Sequence, residues 1–392
     1  MPYLYGLWYF ANAKVYKKHE GSREMSFWLM VFSLVTIASI AGAVYMIWST
    51  GRFEGIKKLA HGSKVLQIII PTVIVAGLFG ICVAAMSFMN AAVVFIHFAI
   101  FRVIFGIAGM IVNKVSDRQI HFYWQGWGSL VLSIVYLCIA FFLCHNVWMK
   151  TYDITTDKNI GNLKIAMFAD SHIGTTFDGD GFAKQMEKIK EQKPDIVFIV
   201  GDFVDDGTKR DDMIAACEAL KEMDAPYGVW YVFGNHDRGY SNSAIRGFSS
   251  NDLIIQLKKN GVKVMNDTVS IIDDRIAVVG RYDRSFGNRK QISELVDDIP
   301  DDKYIIVLDH QPADYEAEAA TKADLVLSGH THGGQLIPIT HVGEWIGQND
   351  KVYGHERING TDFIVTSGIS DWELKFKTGT KSEYVIVNVN RR

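Results

Sequence analysis

Val65 to Phe101 is a run of 37 residues without a formal charge, and nothing else restricts the possible folds of this chain as much. Arg102 interrupts it, and apolar character then continues to Val112. A membrane helix needs about 20 apolar residues, so this stretch holds two, with a tight turn expected near Asn90. Phe27–Trp48 adds 22 uncharged residues, bounded by Arg23, Glu24 and Arg52. Gln119–Met149 adds another run, with Trp124, Trp127 and Trp148 near its ends, where indoles favour the headgroup region. Four transmembrane spans are expected, about 27–48, 66–88, 91–112 and 127–148, forming an all-α module over residues 1–150. A signal peptide has one short apolar region, and a soluble helix keeps a polar face; these runs fit neither.

Charge divides the chain at the same place. Residues 1–150 hold 12 Lys/Arg against 4 Asp/Glu, and the remaining 242 hold 28 against 39. That balance gives no reason to expect a nucleic-acid partner. Four cysteines without paired spacing exclude a disulfide scaffold and a cysteine-ligated zinc or iron–sulfur site, and Cys217 on its helical pattern is expected to fill core space. The bilayer is an expected partner, and the location a cell membrane crossed several times. Four spans leave the N-terminus and the C-terminal domain on one side. Lys14, Lys17, Lys18, Arg23, Lys150 and Lys158 lie there, against Arg52, Lys57, Lys58, Lys64, Lys114 and Arg118 opposite. The tie leaves the side carrying that domain undetermined. Arg102 either binds an anionic headgroup, snorkels, or pairs within the bundle.

Beyond Lys150 the polar stretch 151–160 reads as a linker, and residues 161–392 as a separate α/β domain. Strands are expected at Leu163–Ala169, Ile196–Val200, Val229–Phe233, Ile276–Gly280, Ile305–Leu308, Leu325–Ser328, Phe363–Thr366 and Tyr384–Val389. Helices fit 180–192, 209–223, 250–260, 290–297 and 313–321. Such alternation argues a layered α/β fold.

The residues just past five of these strands carry the chemistry. Asp170-Ser171-His172, Gly201-Asp202, Gly234-Asn235-His236-Asp237, Asp309-His310 and Gly329-His330-Thr331-His332 each stand at a strand's carboxyl end, where open α/β sheets place ligands. Carboxylate, amide and imidazole without thiolate suit divalent manganese, iron or zinc. The glycines let the backbone approach the site closely. Two cations a few ångströms apart need a shared carboxylate, and a bridging hydroxide is then a strong nucleophile near neutral pH. Taken singly, Asp170 and Asp202 could be helix caps or turn residues, and His310 a core histidine. Together, and in this order, they argue a dinuclear site.

The same five motifs resemble the calcineurin-like metallophosphoesterases over about residues 160–390. The longer run Gly329-His330-Thr331-His332-Gly333-Gly334-Gln335 and the tail Thr366-Ser367-Gly368 are similar to a branch of membrane-tethered and exported phosphoesterases, some UDP-diacylglucosamine pyrophosphatases among them. The resemblance implies a four-layer α/β/β/α sandwich. It also implies one metal held by Asp170, His172, Asp202 and His332, and a second by Asp202, Asn235, His310 and His330, with Asp202 bridging. His236 would donate to the phosphoryl oxygen or leaving group, oriented by Asp237. One local departure stands out: the branch commonly has Gly-x-Asp-Asp where this chain reads Gly280-Arg281-Tyr282-Asp283-Arg284. Arg281 and Arg284 are either phosphate or headgroup contacts or ordinary surface charges. The apolar insert Leu336–Gly347 either dips toward the bilayer or packs on its own domain, and His341 and His355 match no ligand position.

The expected protein is thus a membrane-anchored phosphoesterase with two divalent ions, manganese first and iron or zinc as alternatives. It would hydrolyse a phosphoester or diphosphate bond of a lipid-linked or small-molecule substrate through a metal-bound hydroxide. The alternatives are a UDP-2,3-diacylglucosamine-type pyrophosphatase of lipid A synthesis and a weak membrane sensor or scaffold that keeps the metal site. A transporter is disfavoured, since the spans contain one formal charge and no obvious pair of broken helices. Protein partners and oligomeric state are not legible.

Overall fold

Alternate residues of the short strands are apolar on both faces, so each strand must be covered on both sides. The computed structural model, which describes residues 21–115, 122–240 and 243–392, meets that demand with two sheets and flanking helices. The strands are β1 Trp148–Thr156, β2 Leu163–Phe168, β3 Ile196–Val200, β4 Val229–Val232, β5 Lys263–Met265, β6 Thr268–Ile272, β7 Ile276–Gly280, β8 Tyr304–Leu308, β9 Leu325–Ser328, β10 Gly354–Ile358, β11 Thr361–Val365 and β12 Glu383–Arg391. One sheet runs β1-β12-β2-β3-β4-β5 and the other β10-β11-β9-β8-β7-β6, each mixing parallel and antiparallel pairs.

Three apolar clusters define the layers. Leu163, Ile165 and Met167 of β2 meet Ile306 and Leu308 of β8 between the sheets. The intervening Ala166 and Phe168 face outward onto Phe182, Met186 and Ala216 of the helices Gly179–Lys190 and Arg210–Lys221. Ala277, Val279, Ile305 and Val307 turn the other way, onto the helices Ile292–Val296 and Tyr315–Ala319. The expected four-layer sandwich is therefore present. Cys217 lies in the second cluster, as core filling.

The chain divides into two compact units, 1–135 and 136–392. The first holds α1 Gly21–Thr50, α2 Glu54–Leu59, α3 Leu66–Ala85 and α4 Phe88–Val115, and α5 Trp124–His145 straddles the division. Helices α3, α4 and α5 are each long and apolar enough to cross a membrane. The expected span 27–48 falls inside α1, where the side chains of residues 21–32 and 34–36 lie outside the description. Lys14, Lys17, Lys18 and Arg118 lie outside it too. The α3–α4 break sits at Met86-Ser87 rather than Asn90. Ser87 explains the shift, since its hydroxyl accepts from Asn90 N at 3.2 Å and Nδ2 at 2.8 Å, a cap that starts α4. Arg102 is only 5% exposed, with its guanidinium 5.2 Å over the Phe53 ring. It has no ion-pair partner among the described residues.

The expected linker 151–160 is largely strand instead. β1 pairs in parallel with β12 through all nine positions, from Trp148↔Glu383 to Thr156↔Arg391. Tyr152, Ile154 and Thr156 alternate inward while Asp153 and Thr155 face water, so a polar-looking stretch forms a half-buried edge. The last helix consequently ends at His145, short of the expected 148.

Candidate metal centre

The parallel strands β2, β3 and β4 of one sheet, and β8 and β9 of the other, deliver their polar residues at their carboxyl ends. Asp170, His172, Asp202, His330 and His332 have φ of +55°, +36°, +51°, +72° and +50°. Left-handed backbone at a non-glycine residue costs of order 1–3 kcal/mol and persists only where the surroundings hold it. Bonds between the loops hold it here. Asp170 N donates to Gly201 O at 3.0 Å, and His172 N to Asp202 O at 3.1 Å. His330 N donates to both carboxylate oxygens of Asp170 at 3.0 Å.

Two clusters result. Asp170, His172 and His332 bring one ligand atom each within 4.8 Å of one another, and so do Asp202, His310 and His330. Asp202 stands between them: its Oδ2 is 3.2 Å from His310 Nε2 and 3.6 Å from His172 Nε2. Its other oxygen accepts from His236 N at 2.8 Å. The close approach depends on glycine, because a Cβ on Gly234 would come within 2.2 Å of Asp202 Oδ1. Asn235 Nδ2 donates to the Tyr240 hydroxyl at 2.9 Å, which leaves its Oδ1 buried and unpartnered.

The outer nitrogens of three histidines face oxygen atoms, and that of His310 is hydrogen-bonded. His310 Nδ1 bonds Val200 O at 2.8 Å, His332 Nδ1 lies 3.0 Å from Asp371 Oδ1, and His172 Nδ1 lies 3.4 Å from Asp205 Oδ2. Backing of this kind is what metal-ligating histidines need, since it fixes the ring and its tautomer. The inner Nε2 atoms of His172 and His310 are buried without a hydrogen bond, as are the Nδ1 atoms of His172 and His332. Unpaired buried polar atoms are costly, so the donor set fits a cation. Asp205 and Asp371 went unread in the sequence; Asp205 at least comes three residues after Asp202, whereas Asp371 had no local signal.

Burial opposes charge on His172, but Asp205 and Asp202 outweigh it and raise its pKa to about 9. A cation must therefore displace a proton there. Metal binding near about pH 7.5 should release a proton from this ring, and affinity should climb with pH until about 9. Calorimetry in buffers of different ionisation enthalpy measures that proton. His236 behaves oppositely, because burial pushes it down to about 4 and leaves a neutral imidazole. Its ring lies 5.1 Å from His172 and 5.0 Å from Trp372.

Asp237 does something other than orient His236. Its Oδ2 accepts from Asp202 N at 2.8 Å and Gly234 N at 2.7 Å; its Oδ1 accepts from Phe203 N at 2.8 Å and Val204 N at 3.0 Å. All four acceptor positions of the carboxylate are thereby used, and Asp237 ties the β3 loop to the β4 loop. Arg281 is likewise no phosphate contact. It is buried, with Nη1 3.0 Å from Asp309, 2.6 Å from Asp314 and 3.1 Å from Glu318. Arg284 is exposed and donates to Ala313 O at 3.3 Å. His341 and His355 pair with Glu344 and Asp362, away from the ligand clusters.

Residues 163–334 match the calcineurin-like phosphoesterase family. This part of the chain is a calcineurin-like phosphoesterase domain. A Caenorhabditis elegans protein named as a putative metallophosphoesterase is 27% identical over 342 residues, covering 79% of this chain and 68% of that protein. Such coverage exceeds what residues 136–392 can supply, so the likeness reaches into the helical N-terminal part. An uncharacterized metallophosphoesterase of Aquifex aeolicus (strain VF5) is 28% identical over 249 residues, 62% of this chain and 91% of its own. A Danio rerio protein named as a transmembrane protein with metallophosphoesterase domain is 27% identical over 241 residues. That match covers 58% of this chain and about half, 53%, of the fish protein. The metallophosphoesterase domain of this chain is preceded by membrane-length helices, in keeping with that relative's name.

Proposed function

We propose that this metallophosphoesterase is an integral membrane enzyme that hydrolyses a phosphoester or diphosphate bond of a lipid-linked substrate. The observation that carries the reading is Asp202 Oδ2, poised between two clusters, with the buried Nε2 atoms of His172 and His310 facing it without hydrogen bonds. Asp170, His172 and His332 would hold one ion, Asn235, His310 and His330 the other, and Asp202 both. Two divalent ions so placed, manganese first among them, would supply Lewis acidity and an activated water for in-line displacement at phosphorus.

The chain's own side chains do the rest. His236, neutral and anchored through its backbone to Asp202, donates its ring N–H to a phosphoryl oxygen or to the leaving oxygen. Asp237 keeps the two loops at a fixed separation through its four backbone amides. Asp205 and Asp371 hold the rings of His172 and His332. Membrane-length helices in the same chain favour a substrate met at the headgroup plane.

The test is hydrolysis by purified full-length protein, stripped of metal and then given Mn²⁺. Bis-p-nitrophenyl phosphate is compared with a lipid-linked diphosphate in mixed micelles. Metal-restored turnover with preference for the lipid supports the proposal. Preference for the soluble ester would remove the lipid from it, and no turnover on either would favour a binding role.

A further inference from the structure

The last turns of α5 are held by the phosphoesterase domain's own backbone. Lys377 N donates to Ala140 O at 3.1 Å, Ser382 N to Leu143 O at 3.0 Å, and Ser382 Oγ to Cys144 O at 2.7 Å. The Phe376 ring lies 6.3 Å from that of Phe141. Ala140 precedes the end of the helix at His145 by five residues, about 7–8 Å along the axis at 1.5 Å per residue. A helix that crosses a bilayer ends near the headgroups, so with α5 as a span segment 376–382 would lie at the headgroup–acyl boundary. Its neighbours suit that level, with Lys381 Nζ 5.0 Å over the Trp148 ring.

This segment in turn carries the insert Leu336–Gly347. Ile337 N donates to Thr378 Oγ1 at 2.8 Å, and Thr378 N to Gln335 O at 2.8 Å. The insert presents Ile337, Ile339 and Trp345 outward at 52%, 58% and 75% exposure, with Val342 and Ile346 also exposed. Its one formal charge is turned back into the domain: Glu344 accepts from Val352 N at 2.7 Å and faces His341 Nδ1 at 2.9 Å. An uncharged apolar surface of this kind marks an interaction site. Trp372 joins it to the chemistry, since its carbonyl accepts from Gln335 Nε2 at 3.3 Å and its ring lies 5.0 Å from His236.

We propose that the Leu336–Gly347 loop is a bilayer-inserted platform. Ile337, Ile339 and Trp345 lie among the acyl chains, and a lipid phosphoester passes from there over Trp372 to His236. The occupant is the lipid surface, because the loop is pinned to the chain segment that clasps the end of a membrane-length helix. The substrate half rests on the function proposed above; the insertion half does not.

The experiment uses the full chain reconstituted in phosphatidylcholine vesicles. The emission lost in Trp345→Phe, taken by difference, should be blue-shifted, quenched by lipids brominated on their acyl chains and untouched by aqueous iodide. Quenching by iodide and not by brominated lipid overturns the insertion. The triple variant Ile337→Ser, Ile339→Ser, Trp345→Ser should lower kcat/KM for a vesicle-borne phosphodiester lipid about tenfold or more. Its kcat/KM for bis-p-nitrophenyl phosphate should stay within about twofold of wild type. Equal effects on the two substrates overturn the delivery role. Wild type inactive on both would fail the proposed function, while the fluorescence still decides the insertion.

Discussion

Asp202→Ala is expected to lower kcat on bis-p-nitrophenyl phosphate by about 10³-fold or more, the effect of several kcal/mol of lost transition-state charge stabilisation. The size of the loss comes from position. Asp202 Oδ2 approaches a histidine of each cluster, so one substitution removes a ligand from both ions and the carboxylate between them. Two cations brought close without a bridging anion repel, and at least one should leave. His330→Ala removes a ligand from one cluster alone and should retain the other ion. Steady-state turnover with metal content per chain measures both. Asp202→Ala should keep its fold: it loses the bond from His236 N, but Asp237 still holds the Asp202 backbone.

Asp237→Ala should instead act on stability. Four buried backbone N–H groups, of Asp202, Phe203, Val204 and Gly234, would lose their acceptor together. One unsatisfied buried donor costs about 1–3 kcal/mol. Costs at neighbouring groups do not add fully, so about 3 kcal/mol or more is the expected loss. For a domain of this size that lowers Tm by roughly 6–12 °C. His236→Ala is the contrast, since that side chain has neighbours but holds no loop; it should lose turnover and keep its Tm within about 2 °C. Scanning calorimetry of the metal-free variants separates the two. Equal thermal stability in Asp237→Ala would show that the loops do not depend on this carboxylate.

These two residues also mark where the sequence was readable and where it was not. Asp, Asn and His at five strand ends are local signals, and the short apolar runs of β2 and β3 marked those strands. The task of Asp237 was hidden, because three of its four partners sit on another loop more than 30 residues earlier. Arg281 misled for the same reason: its carboxylates Asp309, Asp314 and Glu318 come from 28 to 37 residues away. β1 escaped notice because its partner β12 lies at the far end of the chain, and Thr151, Asp153 and Thr155 on its wet face, with Lys150 on the other, mask the alternation. Strands β5, β6 and β10 are short or half-exposed edges with weak patterning. The Ser87 cap, by contrast, was legible: a serine three residues before Asn90 was the better breakpoint.

A dinuclear centre bridged by Asp202 stands or falls on the number of ions it binds. Metal-stripped full-length protein would be incubated with Mn²⁺, freed of excess and analysed for metal per chain, alongside Asp202→Ala and His330→Ala. Wild type should hold two ions, one for each cluster, with turnover returning as the second binds. Either variant should hold fewer. Wild type without any ion, or Asp202→Ala with as many as wild type, would refute the bridged centre.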